Sequence, residues 1–200
     1  MRNPTEEKIL VLDFGSQYAQ LIARRVREKN VFAVIVRHDI SAERVQELAP
    51  KGLIFSGGPA SVHWSDSPKC DPDLFQLEIP ILGICYGMQL VCQAMGGKVE
   101  SHQGREYGPA TCRVLKANEL FADLPGEFQV WMSHGDRVIA LPHGFKAIAG
   151  TPSAPIAAME NSGRRLFGLQ FHPEVTHTRQ GQRILARFVR DICACQALWT

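Results

Sequence analysis

The run Gly83-Ile84-Cys85-Tyr86-Gly87 combines a reactive residue type with a spacing that suits chemistry. It follows the apolar segment 79–82 and has the G-x-nucleophile-x-G form of a nucleophile elbow, with cysteine where many hydrolases carry serine. An elbow joins a buried strand to a helix by a sharp turn, and flanking glycines let the backbone close up. We expect the Cys85 side chain to be exposed at the helix N-terminus, where unpaired N–H groups and the helix dipole stabilise a thiolate.

A cysteine nucleophile needs a proton shuttle, and Phe171-His172-Pro173-Glu174 supplies candidates for it. In this interpretation Cys85 attacks an acyl carbon, His172 carries protons, and Glu174 accepts the second imidazole N–H and holds the tautomer. Each residue alone has an ordinary explanation: a core cysteine, a turn histidine before a proline, and a surface charge. Together they favour a catalytic triad, because strand ends at one edge of a parallel sheet gather in space.

Two further segments after predicted strands are candidates for the rest of such a site. Ser56-Gly57-Gly58-Pro59 is either a plain turn or a loop whose backbone N–H groups point at a ligand, as an oxyanion hole requires. The polar cluster Ser133-His134-Gly135-Asp136 is either an ordinary turn or a loop that holds the charged end of an amino acid. The spacing alone leaves this second choice open.

The composition is that of a soluble globular protein, and we expect one domain over residues 1–200. The chain has 200 residues, of which 45% are hydrophobic and 21% charged. A formal net charge of +2 is too small to indicate nucleic acid or an anionic membrane as a partner. No apolar run is long enough for a membrane span, and the polar segment 1–7 does not resemble a signal peptide. These features predict a cytoplasmic protein.

Cysteine usage singles out one thiol. Without a secretion signal, scattered cysteines do not indicate a disulfide framework. The Cys193-Ala194-Cys195 pair has no second pair beside it, so no metal site is expected. Only Cys85 has a local sequence that indicates reactivity; the remaining cysteines are at positions 70, 92, 112, 193 and 195.

The order of predicted elements favours an α/β fold. Short apolar runs, near 8–13, 32–36, 52–55 and 81–84, alternate with helical patterns in the first half. Such strands indicate a mostly parallel central sheet with helices on both faces. From about 98 to 169 the chain shows short β-like runs broken by glycine and proline, which predict a smaller antiparallel or mixed extension of the sheet. A final helix is expected over about 178–193.

The motifs together resemble those of class I glutamine amidotransferases. The resemblance is carried by the diglycine–proline loop, by the elbow continued through Met88 and Gln89, and by the His-Pro-Glu run, in this order over the whole chain. It implies the triad Cys85, His172 and Glu174, and an oxyanion hole made by the backbone amides of Gly58 and Tyr86. It also implies that glutamine is the substrate, held by residues Gly57, Gln89, Ser133, His134, Gly135 and Asp136.

Further segments resemble one subfamily, in which the glutaminase domain feeds ammonia to an ATP-pyrophosphatase synthetase domain. They are Asp13-Phe14-Gly15-Ser16-Gln17-Tyr18, Arg105-Glu106-Tyr107-Gly108, the 133–136 cluster, Val175-Thr176-His177-Thr178 and Ala197-Leu198-Trp199-Thr200. The resemblance implies a synthetase domain as partner, in cis or in trans. ATP and Mg²⁺ belong to that half, and the glutaminase half needs no cofactor or metal. The ATP-pyrophosphatase and dimerisation domains of the subfamily are absent from these residues.

The polar segment 101–108 is a candidate contact surface for the synthetase domain. Arg105 and Tyr107 are residue types favoured at interfaces, although a solvated loop beside the active site is an equal alternative. Two other functions stay open. One is a cysteine peptidase or deglycase-like member of the same broad fold, and the other is a regulatory module with little activity of its own.

Overall fold

The computed structural model describes residues 5–116 and 118–200, and the side chains of residues 102–105 lie outside the described set. Strands and helices alternate in the first half, as the apolar runs predict. The elements there are β1 (Lys8–Asp13), α1 (Ala19–Arg27), β2 (Phe32–Arg37), α2 (Ala42–Leu48), β3 (Gly52–Phe55), a 3-10 turn (Pro72–Gln76), β4 (Ile81–Ile84) and α3 (Tyr86–Ala94).

The second half is mostly β-structure and ends in a helix. Two long strands replace the short β-like runs that the sequence predicts for this region. The elements are β5 (Lys98–Val114), β6 (Glu127–Ala140), β7 (Lys146–Gly150), β8 (Ala158–Asn161), a 3-10 turn (Ser162–Arg164), β9 (Leu166–Leu169), α4 (Gly181–Ala186) and a π-helical segment (Arg187–Ile192). The final helix is therefore shorter than expected, and the Cys193 N–H donates to the Phe188 carbonyl in the wider turn.

The strands of the described residues form one nine-stranded sheet, in the order β2-β1-β3-β4-β9-β8-β7-β5-β6. The first five strands in this order, β2, β1, β3, β4 and β9, run parallel to one another. Strand β8 pairs antiparallel with β9, and the remaining pairs, β8–β7, β7–β5 and β5–β6, are also antiparallel. The predicted fold class is confirmed. Because β4 lies between β3 and β9, the chain segments that follow these three strands meet at one edge of the sheet.

The core lies on both faces of this sheet. Alternate residues of β1 belong to two different apolar clusters, Ile9 and Val11 to one and Leu10 and Leu12 to the other, and all four are fully buried. Helices α1 and α4 supply side chains to the first cluster, and α2 and α3 to the second. Burial on both sides explains why β1, β3 and β4 read as continuous apolar runs.

Candidate active site

Cys85 occupies the turn between β4 and α3 in a strained backbone conformation. Its φ is +52° and its ψ −106°, in a region that residues with a side chain rarely adopt. The Cys85 N–H donates to the Leu169 carbonyl at 2.7 Å, and the Cys85 carbonyl accepts the first helical bond from Gln89. The turn is therefore tied to β9 on one side and to the helix on the other. This is the geometry of a nucleophile elbow.

The two glycines around Cys85 are required by close backbone contacts. A Cβ atom at Gly83 would lie 2.5 Å from the Gly87 carbonyl oxygen, and one at Gly87 would lie 2.5 Å from the Phe55 carbonyl oxygen. No side chain fits at either distance, because both obstacles are backbone atoms. The G-x-C-x-G spacing is thus a packing requirement of the turn, which the sequence pattern indicates.

The structure brings Cys85, His172 and Glu174 together. His172 Nδ1 lies 2.8 Å from Glu174 Oε1, and the Cys85 side chain lies close enough to the His172 ring to raise the pKa of that imidazole. Cys85 is only 5% exposed, so the expectation of an exposed side chain is wrong; it faces a cavity instead of bulk water. A buried nucleophile of this kind is approached by a ligand that first enters the cavity.

Burial and charge act against each other on His172. Burial alone would lower the pKa of this imidazole, but the Glu174 carboxylate and the Cys85 sulphur outweigh it and hold the pKa well above its ordinary value. Glu174 is fully buried, and its Oε2 has no hydrogen-bond partner within the described part of the chain. The charge of the carboxylate is therefore compensated chiefly by His172.

Polar groups on two other segments contact the Cys85 sulphur. The Gln170 side-chain amide donates to Sγ at 3.7 Å, and Sγ lies 3.5 Å from the Ser133 carbonyl oxygen. The Tyr18 ring meets the His172 ring edge-on, with centroids 5.5 Å apart. Tyr18 belongs to the turn after β1, and Gln170 directly follows β9. Both come to Cys85 only through the order of strands in the sheet.

A cavity of about 660 Å³ opens in front of Cys85. Its walls come from the turns after β1 and β3, the start of α3, the middle of β6 and His172. The lining residues include Gly15, Ser16, Gln17, Tyr18, Gly58, Ser61, Tyr86, Gln89, Ser133, His134, Gly135 and Asp136, with Trp64 and Tyr107 at the rim. Of the predicted ligand-binding residues, Gly57 lies behind this wall, where a Cβ would be 3.1 Å from His172 Cε1.

The 133–136 cluster is part of β6 instead of a loop, and hydrogen bonds already engage its side chains. The Ser61 and Ser101 hydroxyls donate to the two oxygens of the Asp136 carboxylate. Gln89 Nε2 donates to the Asp136 carbonyl at 2.7 Å. These contacts fix how Asp136 faces the cavity, and Ser61 and Ser101 are participants that sequence reasoning missed.

Both ring nitrogens of His134 face oxygen atoms that can only accept, so the neutral ring donates to one of them at a time. Its Nδ1 lies 2.9 Å from the Asp136 carbonyl oxygen and its Nε2 lies 3.1 Å from Glu106 Oε2, while the Ser153 hydroxyl donates to Glu106 Oε1. Burial lowers the pKa of His134, although the Glu106 carboxylate works in the opposite direction. Glu106 faces His134 because the β5–β6 register shifts between Ser101 and Glu106. No short-range sequence signal predicts this pairing.

The candidate contact surface for the synthetase domain, segment 101–108, contains both exposed and buried side chains. Tyr107 is 63% exposed and stands at the cavity rim, whereas the Glu106 beside it is mostly buried under His134. Segment 101–108 therefore lies within β5 and is not a free loop. The side chain of Arg105 lies outside the described residues.

The other thiols are placed for packing. Burial raises the pKa of Cys92 to about 11 and that of Cys112 to about 12, so both stay protonated at neutral pH. Within the described residues, no group of three His, Cys, Asp or Glu side chains is arranged to hold a metal ion. In the same residues, no helix is both long and apolar enough to cross a membrane.

Comparison with known proteins agrees with this geometry. The family model for glutamine amidotransferase class-I matches residues 10–192. The chain belongs to this family. In sequence it is 54% identical over 195 residues to the GMP synthase [glutamine-hydrolyzing] of Staphylococcus carnosus and 53% identical to that of Staphylococcus aureus strain MSSA476. These matches cover 98% of the chain but 38% of each relative, so the chain spans well under half the length of the relatives it matches.

Solved structures show the same fold at near full length. A protein of Thermoplasma acidophilum described as one subunit of GMP synthase is 31% identical, with a TM-score of 0.82 over 94% of both chains. A glutamine amidotransferase of Thermotoga maritima is 20% identical, with a TM-score of 0.76 over 95% of this chain and 99% of the other. The second match supports the fold alone.

Proposed function

We propose that the chain is the glutaminase part of a GMP synthase and that it hydrolyses glutamine to glutamate and ammonia. The observation that carries the proposal is that Cys85, at a strained elbow, and His172, paired with Glu174, line one cavity. Class I family membership gives the reaction type, and the names of the relatives give the wider pathway step.

The first half of the reaction forms a thioester. The Cys85 thiolate attacks the side-chain amide carbon of glutamine, and the carbonyl electron pair moves to oxygen. The amides of Gly58 and Tyr86 stabilise this oxyanion, at about 3 kcal/mol for one donor. The intermediate collapses as the His172 imidazolium protonates the departing nitrogen, releasing ammonia and leaving a γ-glutamyl thioester on Cys85. The raised pKa of His172 keeps the required proton available at neutral pH.

The second half restores the enzyme. Neutral His172 takes a proton from water, the hydroxide adds to the thioester carbon, and a second oxyanion forms in the same place. Its collapse expels the Cys85 thiolate and releases glutamate. Glu174 keeps the His172 Nδ1 proton directed at its own carboxylate, which leaves Nε2 for both transfers. No step uses a metal or cofactor.

The proposed binding residues differ in the kind of contact that they offer to glutamine. Asp136 presents a carboxylate at the cavity wall and suits the α-ammonium group of glutamine. Ser133, Gly135 and Gln89 line the same wall and offer hydrogen bonds to its polar atoms. His134 has both nitrogens occupied, so its role is to hold the Asp136 peptide in place.

The decisive experiment is covalent. A thiol-directed glutamine analogue is expected to add one equivalent to Cys85, detected by intact mass and peptide mapping, and to abolish ammonia release. Glutamine protects against labelling. If the analogue labels no cysteine, or labels Cys70 as readily as Cys85, the proposal fails. Faster turnover of peptides than of glutamine would favour the peptidase alternative.

Ammonia from this reaction would serve a synthetase domain that converts XMP to GMP with ATP and Mg²⁺. The support is the fraction of each relative that the chain leaves unmatched. The exposure of Tyr107 at the cavity rim supports it as a contact of this partner, and Arg105 is proposed with it from the sequence. Adding a synthetase domain with ATP and XMP should stimulate glutamine hydrolysis.

Substitutions at the rim test the contact. Tyr107→Ala and Arg105→Ala are expected to weaken stimulation by the synthetase domain, because each removes interface contacts. Ile139→Ala, an exposed apolar residue of β6 that is not among the cavity-lining residues, is the control and should leave stimulation unchanged. If all three variants lost stimulation equally, Tyr107 and Arg105 would not be specific contacts of the synthetase domain.

A further inference from the structure

The Gly58 amide can receive an oxyanion only if its peptide unit faces the cavity, and a glycine pair leaves that direction weakly determined. Gly57 and Gly58 have no side chains to restrict rotation of the peptide between them. A Cβ at Gly57 would lie 3.1 Å from His172 Cε1, so a side chain there would press on the imidazole. At Gly58 a Cβ would lie 2.5 Å from the Phe14 carbonyl oxygen. Something other than these two residues has to hold the peptide.

Ser56 makes the contacts that do so. Its side chain is fully buried. The Ser56 hydroxyl donates to the Gly57 carbonyl at 2.8 Å and accepts the Phe14 N–H at 3.0 Å. The hydroxyl therefore links the diglycine peptide to the end of β1. It donates its one hydrogen atom to the first and accepts one hydrogen bond from the second.

The direction of the Gly58 N–H follows from peptide geometry. The described residues contain no cis peptide bond, so the Gly57 carbonyl and the Gly58 N–H lie in one plane and point in opposite directions. Ser56 draws the carbonyl to the buried side of the loop. The N–H consequently points away from the Ser56 hydroxyl, and Gly58 is one of the residues that line the cavity with Cys85.

We propose that Ser56 is a positioning residue that fixes the Gly57–Gly58 peptide and thereby prearranges the Gly58 amide for the oxyanion. The inference rests on the proposed glutaminase function and adds a residue to it that touches no substrate. Without the hydroxyl the Gly57 carbonyl loses its buried partner, and rotation of the peptide would turn an acceptor toward the developing negative charge.

A kinetic experiment separates this role from a general structural one. In Ser56→Ala, kcat for glutamine should fall roughly 10- to 100-fold, as for a weakened oxyanion donor, with KM nearly unchanged. Alkylation of Cys85 by iodoacetamide is displacement at a saturated carbon and forms no oxyanion, so its rate should stay within about twofold of wild type. Ser56→Thr keeps a hydroxyl and should recover most of the lost kcat.

A matched control and a second variant keep the test decisive. Ser41→Ala removes a hydroxyl bond to a backbone N–H at the start of α2; Ser41 is not among the cavity-lining residues, and the change should leave kcat unchanged. If Ser56→Ala does not fold, Ser56→Cys retains a side chain with a weaker donor, and its kcat should fall below that of the wild type while alkylation of Cys85 stays normal.

The outcomes are distinct. Wild-type kcat in folded Ser56→Ala, or an equal loss of hydrolysis and alkylation, would overturn the role of Ser56. Failure of the wild-type chain itself to acylate Cys85 with glutamine would instead overturn the proposed function. A selective loss of kcat with normal alkylation, restored by threonine, supports both.

Discussion

The parallel strands and the antiparallel extension build the two sides of the cavity by different means. On the parallel side, Cys85, Gly58 and His172 follow strand ends; backbone hydrogen bonds hold Cys85 and His172, and the Ser56 hydroxyl holds the Gly57–Gly58 peptide. On the extension side, Ser133 to Asp136 lie within β6, and side-chain hydrogen bonds from Glu106, Ser101 and Gln89 set their arrangement. The comparison indicates that the backbone chiefly positions the reactive groups, whereas a network of side-chain hydrogen bonds positions the wall that faces the substrate.

The largest effect is expected at the reactive atom. Cys85→Ala should lower glutamine hydrolysis by roughly 10⁴-fold or more, because no other group can form the thioester. Ammonia release measures the loss, and circular dichroism should show an unchanged fold. Cys92→Ala, a buried cysteine of the following helix, is the control and should retain activity. If Cys85→Ala kept activity near that of the wild type, Cys85 could not be the nucleophile, and the parallel side would not carry the reactive groups.

A backbone change should be nearly as damaging on the parallel side. Gly87→Ala places a methyl group 2.5 Å from the Phe55 carbonyl oxygen, so the elbow must shift, at a cost of about 3 kcal/mol in the free energy of unfolding. Gly126→Ala meets nothing within 4 Å and should change it by less than about 0.5 kcal/mol. Chemical denaturation compares the two. Equal stabilities would mean that the elbow is not rigid.

Glu174→Gln should lower the pKa of His172, because burial then acts without the opposing carboxylate. NMR titration of the imidazole protons measures the shift, and hydrolysis should fall by roughly a hundredfold. In the wild type, the raised pKa stabilises the fold fully below about pH 6.5, and that contribution is lost as the pH rises through the folded-state pKa. In Glu174→Gln this decline in stability should disappear. An unchanged His172 pKa would contradict the coupling.

The smallest effect is expected on the extension side. Glu106→Ala leaves His134 with one partner and should raise KM for glutamine roughly tenfold, with kcat changed less, because the 133–136 wall loses its anchor. Glu127→Ala removes another cross-strand ion pair, with Arg113, at the far end of the same two strands. It should leave KM unchanged. If Glu106→Ala lowered kcat more than it raised KM, the extension side would also act in the chemical step, and the division of roles between the two sides would be wrong.

Local patterns predicted the parallel side well. The elbow is contained in five consecutive residues, and its two glycines answer clashes within that turn and with the neighbouring β3. His172 and Glu174 are two residues apart, so a short turn suffices to bring Nδ1 and Oε1 into contact. Apolar runs predicted the alternation of strands and helices, because strands buried on both faces have few polar residues. Most of these features depend on neighbours in sequence, although the contact that requires Gly87 is made with Phe55 of β3.

The extension side could not be predicted in the same way. Glu106 meets His134 because of a register shift between long strands, and Ser61 meets Asp136 because the segment after β3 and the middle of β6 line one cavity. These partners are far apart in sequence, and their residue types are common on surfaces. The prediction of short β-runs and a loop at 133–136 was therefore wrong, although the residues themselves line the cavity.

The sequence by itself determined that a cysteine would sit at a strand-to-helix turn and that a histidine and a glutamate would be available to it. Steric limits on the backbone act over a few residues, and a motif records them directly. Only the tertiary structure decided how Cys85 is enclosed, that Ser56 holds the diglycine peptide, and that His134 is occupied by Glu106. Those results depend on strand order, register and burial, because hydrogen bonds between distant segments form only after the sheet has assembled.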